Sequence, residues 1–312
     1  MTPQTISWEF ETLTECPVCQ AARFSKIFSG DIRSIPLDFV RCTSCGLVFQ
    51  NPRLTERALR QYFSSRTFIE DSSASDYDLE RPLGYHDYSE WDASYKATAS
   101  LRLKHIMRCK APPARLLEIG TATGSFLDVA RGFGYTVKGI DVSTLFAEMA
   151  RRKYGLDIES HFIETAPLPA AAYDVVCAFG RVSCWRDPVR AMKNIRQSLT
   201  PGGVFVLNFP DFAAPLSRIY GRRYPEFNHA SLTIFSRATM TRALEKAGVS
   251  IEFSETERQY ASIGRIVTYL KSAVGRKIAG QLGLEKVTLP VIAVGTVFAI
   301  CRPADQSLMN VN

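Results

Sequence analysis

The sequence predicts an α/β protein built on a parallel sheet, and three stretches carry that prediction. Residues 116–126 read as a buried strand, a tight glycine turn and the start of a helix. Residues 136–140 form a second strand, which ends at the carboxylate of Asp141. Residues 171–179 form an apolar run typical of a strand buried on both faces. Strands that alternate with helices in this way pair in parallel, so we expect them in one sheet.

Start and stop signals predict the later elements. An aspartate followed by proline opens one helix, while a serine N-cap and a glycine stop bound another. Apolar runs mark three further strands, the last two forming a closing hairpin. These elements are a helix from Asp187 to Leu199, a strand over 204–207, a helix from Ser236 to Gly248, a strand over 251–253 and a strand over 291–301.

The turn after the first strand has the composition of a nucleoside-binding loop. Its glycines let the backbone approach a ligand closely, and the helix that follows presents free N–H groups. Asp141 can accept hydrogen bonds from both hydroxyls of a ribose. The pattern is not the dinucleotide G-x-G-x-x-G, because Gly120, Ala122 and Gly124 occupy alternate positions.

This loop, led by Glu118, resembles motif I of class I S-adenosylmethionine (SAM)-dependent methyltransferases, E-x-G-x-G-x-G, with Ala122 at the middle glycine. The tyrosine and aspartate that open the run 173–176, and L-x-P-G-G within 199–207, resemble the family's fourth and fifth strands. The resemblance covers about residues 95–303. It implies a Rossmann-like seven-stranded methyltransferase sheet with SAM as the cofactor.

The resemblance also assigns a cofactor site. The glycine loop would line the methionine and ribose of SAM, and residues after the second and third strands would contact the adenine. The end of the fourth strand would lie beneath the sulfonium. Two tyrosines ahead of the first domain helix would close over the SAM carboxylate, or would simply pack between the two parts of the chain. The set is Tyr85, Tyr88, Glu118, Gly120, Thr121, Ala122, Gly124, Asp141, Val142, Phe162, Ile163, Phe179 and Gly180.

Four cysteines near the N-terminus form a second motif. Cys16 and Cys19 make one Cys-x-x-Cys pair, and Cys42 and Cys45 make another, with residues 20–41 between them. Two such pairs suit tetrahedral Zn²⁺ and leave no open coordination position, so we expect a structural zinc. Two disulfides or four free thiols are the alternatives. Disulfides are disfavoured because the sequence shows no signal peptide and its other cysteines are scattered.

The run C-x-x-C-G-L-V-F-x-N-P-R over 42–53 resembles the head of bacterial methyltransferases from sugar, polysaccharide and secondary-metabolite clusters. The resemblance implies a small-molecule acceptor, such as a sugar nucleotide or another phosphorylated intermediate, methylated on carbon or oxygen. Sugar C-methyltransferases with this head carry a further C-terminal domain that the sequence does not show, so the atom that is methylated stays open.

The acceptor is expected over the carboxyl edge of the sheet, beneath a lid formed by the insert 209–235. Within that insert His229 is the candidate general base, and the alternative is a histidine that only shapes the pocket. Arg218, Arg222 and Arg223 suit a diphosphate or a carboxylate, or else form a solvated basic face.

Length and composition predict a two-part protein. We expect a zinc ribbon over 1–60, a linker and SAM-covering segment over 61–95, and the methyltransferase domain over 96–312. A basic amphipathic helix over 264–288 covers the acceptor site, packs in a homodimer or rests on a membrane surface. No apolar run is long enough to span a membrane, and a cytoplasmic location is expected.

Two other function classes stay open. An RNA methyltransferase with a zinc ribbon fits the excess of 38 basic over 31 acidic side chains. Against nucleic acid, the fourth strand ends in 178–180 without the Asn/Asp-Pro-Pro-Tyr used on base nitrogens. A decayed SAM-fold binding module is consistent with Ala122 and with 182–184 reading Val-Ser-Cys where relatives read Leu-Glu-His. The residues favour the small-molecule methyltransferase.

Overall fold

The computed structural model describes residues 6–65, 67–68, 87–269, 280–284 and 287–304. Its N-terminal part consists of short strands and one helix, for which Thr55 is the N-cap. The elements are β1 (Phe10–Glu11), β2 (Phe24–Ile32), β3 (Ile35–Cys42), β4 (Val48–Gln50), β5 (Arg53–Leu54) and α1 (Glu56–Phe63).

Strands and helices then alternate up to a closing antiparallel hairpin. The elements are α2 (Asp87–Cys109), β6 (Arg115–Ile119), α3 (Ser125–Gly132), β7 (Thr136–Ile140), α4 (Thr144–Tyr154), β8 (Ile158–Glu159), β9 (Tyr173–Phe179), α5 (Pro188–Ser198), β10 (Leu199–Pro210), α6 (Pro215–Tyr220), β11 (Thr233–Ile234), α7 (Arg237–Lys246), β12 (Val249–Ser262), α8 (Ile263–Tyr269) and β13 (Thr288–Pro303).

Seven strands form the main sheet in the order β12-β13-β10-β9-β6-β7-β8. The strands from β6 to β10 pair in parallel, and β13 runs antiparallel between β10 and β12. Helices cover both faces, so central side chains such as Val175, Val176 and Val204 are fully buried. The predicted α/β sheet with its final hairpin is confirmed.

Several predicted boundaries differ from the structure. Helix α5 ends at Ser198, because Leu199 pairs with Tyr173 and opens strand β10. The last two strands are longer than predicted because their pairing continues from Val249 to Ser262. The prediction of a single helix over 264–288 is wrong. Helix α8 covers the start of this range, but residues 282–283 form a turn and residue 288 begins β13. Residues 270–279 and 285–286 lie outside the described part.

The N-terminal sheet is shared between the two parts of the chain. Its order is β11-β4-β3-β2, and β11 comes from the end of the insert 209–235. Arg53, almost fully buried, donates to Glu11 and to the carbonyl of Arg186 beyond the sheet strand β9. The N-terminal part is therefore hydrogen-bonded to the main domain in two places, through the pairing of β4 with β11 and through Arg53. No described helix is long and apolar enough to cross a bilayer.

Candidate functional site

A cleft lies at the carboxyl edge of β6, β7 and β9, with about 540 Å³ of empty space, part of it open to solvent. This is the edge where parallel α/β sheets bind ligands. The N-terminal part supplies one wall, with Phe63 at the end of α1 and Phe68 beyond it. The other lining residues are Ile119, Gly120, Ile140, Asp141, Val142, Phe146, His161, Phe162, Ile163, Glu164, Arg181, Cys184 and Trp185.

The glycine loop between β6 and α3 forms the floor of the cleft. Gly120 has φ +75°, and its N–H donates to the carbonyl of Ile140 over 2.7 Å. A Cβ at Gly120 would lie 2.3 Å from Cγ of Arg181, so only glycine fits there. Gly124 acts differently: its Cβ would lie 2.7 Å from Leu156, inside the protein. Gly124 therefore allows helix packing and does not face the cleft.

Asp141 organises this loop. One carboxylate oxygen accepts the N–H of Ala122 and the other accepts the N–H of Ser143, each over 2.8 Å. Ala122 has φ +46°, a left-handed conformation that favours glycine, which is the residue expected at that position of motif I. Burial raises the pKa of Asp141, and the charge of Arg181 and the two N–H donors lower it by less. Each oxygen keeps a lone pair for a ligand.

Two polar side chains beside the loop are buried with an unpaired atom. Within the described residues, Oε2 of Glu118 and Oγ1 of Thr121 have no hydrogen-bond partner. Burial raises the pKa of Glu118 well above its ordinary range, against the lowering effect of Arg102 and Arg181. Unpaired buried groups carry a desolvation cost that a polar ligand removes.

Apolar residues after β7 and β8 face the aromatic wall of α1. Val142 follows β7, while Phe162 and Ile163 lie in the loop after β8, and all three line the cleft. The guanidinium of Arg60 stands 4.7 Å from the ring centre of Phe162. The slot between these side chains has the flat, apolar character that suits an adenine ring. Tyr85 and the side chain of Tyr88 lie outside the described residues.

A buried polar network supports the ends of β9 and β10. The N–H of Gly180 donates to Oδ1 of Asn208 over 2.5 Å, and Nδ2 of Asn208 donates to Glu257 over 2.6 Å. Arg102 completes the network with a salt bridge to Glu257 over 2.5 Å, and its guanidinium lies 4.2 Å from the ring centre of Phe179. Helix α2 and the hairpin thereby fix the position of Phe179 and Gly180.

The insert 209–235 places a carboxyl group, that of Glu226, behind the lining residues Arg181 and Cys184. Glu226 accepts a hydrogen bond from Oγ of Ser231 over 2.9 Å. Burial raises the pKa of Glu226, while the nearby Ser231, Ser183 and Arg181 lower it by less. Glu226 is also close enough to raise the pKa of Cys184, one of the lining residues. A carboxyl group with a raised pKa beside a cleft is suited to accept a proton.

His229 lies elsewhere under the insert. It is 1% exposed, is not among the lining residues of the cleft, and packs against the rings of Trp8 and Tyr62. Within the described residues, neither of its ring nitrogens has a hydrogen-bond partner. Burial lowers its pKa to about 4, more than the nearby backbone of Ile32 and Ile35 raises it. The imidazole is therefore neutral at pH 7 and enclosed.

The four N-terminal cysteines converge. Their sulfur atoms all lie within 4.8 Å of one another, with 3.6 Å between Cys16 and Cys45 and 3.4 Å between Cys19 and Cys42. Tetrahedral zinc–thiolate geometry, with bonds of about 2.3 Å, places sulfurs roughly 3.8 Å apart. Burial raises the pKa of Cys42, but the N–H groups of Cys45 and Ser44 and two thiols bring it to about 7. The donor set and spacing fit a zinc ion.

Several residues of this site carry no local sequence signal. Arg102, Glu257 and Asn208 are brought together from α2, β12 and β10, so no spacing in the sequence links them. Glu226 lies three residues before His229 in the same insert, and a single glutamate in a polar loop carries no sequence signal of a base. Arg181 follows Gly180 directly, and the requirement for glycine at 120 depends on it.

The sheet order, the glycine loop and the acidic end of β7 together define a SAM-dependent methyltransferase fold. The sequence profile of the methyltransferase domain family matches residues 90–252, just over half of the chain, and the protein belongs to that family. The chain therefore contains a methyltransferase domain.

Individual relatives share only parts of the chain. The uncharacterized methyltransferase YdaC of Bacillus subtilis is 33% identical over 102 residues, which cover 28% of this chain and 56% of YdaC. The uncharacterized protein YjhP of Escherichia coli is 33% identical over 118 residues, covering 35% of this chain and 46% of YjhP. The chain thus spans about half the length of these curated relatives.

Solved structures of low identity share the fold. The [4+2]-cyclase SpnF aligns with a TM-score of 0.52 and 17% identity, covering 81% of this chain and 97% of SpnF. A chain from the complex between the Haloferax volcanii Trm112 methyltransferase activator and a methyltransferase aligns with a TM-score of 0.50 and 15% identity, covering 76% of this chain and 98% of that chain.

Proposed function

We propose that this protein transfers a methyl group from SAM to carbon or oxygen of a small-molecule acceptor, a sugar nucleotide or an intermediate of polysaccharide or secondary-metabolite synthesis. One observation carries the proposal: the nucleoside-binding loop lines the cleft, and a carboxyl group of the insert, Glu226, lies near two other lining residues, Arg181 and Cys184. The acceptor class follows from the resemblance of the N-terminal motif.

The residues of the cleft fit the cofactor. Gly120 offers a surface without a Cβ, and Asp141 offers lone pairs to the ribose hydroxyls. Val142, Phe162 and Ile163 would hold the adenine. The unpaired oxygen of Glu118 would accept from the cofactor's amino group. When bound, SAM supplies an electrophilic methyl group on a sulfonium.

The chain's own chemistry is proton transfer and exclusion of water. A hydroxyl or carbon acid that attacks a methyl group must lose a proton, so a base must stand beside the acceptor. Glu226 meets that requirement through its place near Arg181 and Cys184 and its raised pKa. His229 is too enclosed to reach a substrate unless the insert moves, and we assign it to the support of the lid.

A structural zinc would hold the lid as well as the ribbon. Residues 42–45 end two residues before β4, and β4 pairs with β11 at the end of the insert. Zinc bound by Cys16, Cys19, Cys42 and Cys45 would therefore fix the strand on which the lid rests. We also propose that the chain divides into a zinc ribbon over 1–60, a linker over 61–95 and the methyltransferase domain over 96–312.

The test compares two matched variants, Glu226→Gln and His229→Gln, in a methyl-transfer assay over a panel of nucleotide sugars. Glu226→Gln should lower kcat by about 10²–10⁴-fold without changing affinity for S-adenosylhomocysteine. His229→Gln should lower the free energy of unfolding, and it should lower kcat less than Glu226→Gln does. Equal loss in both variants contradicts the assignment of the base. Lack of binding of S-adenosylhomocysteine by the unaltered protein contradicts the proposed function itself.

A further inference from the structure

A second concave surface lies on the outer side of the insert, against the N-terminal sheet. It encloses about 1150 Å³ of empty space, part of it open to solvent. Three arginines from three different elements line it, and its lining contains no acidic residue. They are Arg41 on β3, Arg218 on α6 and Arg222 on the short turn that follows. Arg223, the third arginine of the insert, is not among its lining residues.

Two of these guanidinium groups are held in place by aromatic rings. Arg222 stands 5.2 Å from the ring centre of Phe28 and donates to the carbonyl of Ser29 over 2.7 Å. Arg41 stands 5.9 Å from the ring centre of Phe212. Among the residues that the structure describes, no carboxylate pairs with any of the three arginines. Preorganised, unneutralised guanidinium groups in a concave site bind anions more tightly than mobile surface arginines do.

We propose that this groove binds the phosphate groups of a small molecule, a diphosphate being the best match for its three cations. Arginine forks recognise phosphate oxygens in pairs, and aromatic side chains beside them accept the ring of a nucleotide. Phe227 lines the groove and directly follows Glu226 in the chain, so the groove and the proposed base belong to the same insert. That the bound molecule is the methyl acceptor rests on the proposed function; the binding of diphosphate does not.

The experiment is calorimetric titration of the full-length, zinc-loaded protein with inorganic diphosphate, uridine diphosphate and uridine. Both phosphate compounds should bind saturably, and uridine should not. Arg41→Ala and Arg218→Ala should each weaken diphosphate binding about ten- to a hundredfold. The control Arg223→Ala removes the same charge next to the groove and should change affinity less than about twofold. S-adenosylhomocysteine, titrated into the same samples, reports whether each variant is folded.

Three results would overturn the proposal: no saturable binding of diphosphate, equal weakening by the control, or binding of a single-stranded RNA through these arginines without binding of diphosphate. A second measurement needs no variant: raising salt from about 50 to 300 mM should weaken diphosphate binding far more than S-adenosylhomocysteine binding. Diphosphate binding without S-adenosylhomocysteine binding would leave the groove intact and refute the methyl-transfer proposal. The reverse would refute the groove alone.

Discussion

Substitution of Asp141 by asparagine separates the two roles of this carboxylate. In the folded protein it accepts one N–H from Ala122 and one from Ser143. Asparagine keeps one acceptor oxygen and places an amide NH₂ against the other N–H. One buried N–H is then unpaired, which costs about 1–3 kcal/mol of unfolding free energy. We expect a loss of stability of that size with the fold retained.

The same substitution should weaken cofactor binding. A hydrogen bond from a ribose hydroxyl to a charged acceptor contributes about 1.5–3 kcal/mol, so affinity for S-adenosylhomocysteine should fall roughly 10- to 150-fold. Because burial raises the pKa of Asp141, binding to the unaltered protein should also weaken as pH falls through that pKa. The variant should lose this pH dependence.

Asp174 provides a matched control at the opposite edge of the sheet. Its carboxylate accepts the N–H of Arg115 and the hydroxyl of Thr200, each over 2.9 Å, at the amino end of the strands. Asp174→Asn should lower stability by a similar amount and leave cofactor affinity unchanged. Calorimetric titration and denaturant unfolding measure both quantities. Wild-type affinity in Asp141→Asn, or equal loss of affinity in Asp174→Asn, would refute the assigned cofactor site.

Three further predictions concern the zinc, the buried carboxyl group and the strained loop. Cys42→Ser should lower the zinc content from about one ion per chain to near zero. It should also increase proteolysis of the insert 209–235, because β4 supports β11. An unchanged zinc content would contradict the proposed zinc site. Glu118 binds its proton more tightly in the folded state, so the protein should lose free energy of unfolding as pH rises through the raised pKa of this group. In the variant Glu118→Gln, unfolding experiments at several pH values should no longer show that loss. Ala122→Gly should stabilise the chain by up to about 1 kcal/mol, because φ +46° costs alanine more than glycine; a lower melting temperature would count against strain at this position.

Local chemistry explains why much of the fold was predictable. Two helices begin at N-cap residues, Asp187 and Ser236, whose side chains accept the N–H of the residue three positions later. Each cap and its partner therefore lie within one short stretch of sequence, where the pattern can be read. The cysteine pairs converge as their spacing predicts. The outer strands were predicted too short because their length depends on pairing between β12 and β13. The prediction of His229 as a base rests on its residue type alone, whereas its burial depends on Trp8 and Tyr62, far away in the chain.

The sequence by itself determined the α/β class, the alternation of strands and helices before a closing hairpin, the glycine loop with Asp141, and the two cysteine pairs. Each depends on periodicity or on spacing within one short segment. Only the tertiary structure decided that the insert completes the N-terminal sheet, that Arg102 pairs with Glu257, and that Glu226 stands by the cleft. Those contacts join residues far apart in the chain, and packing of whole elements sets them. No local pattern records which distant side chains the folded chain will bring together.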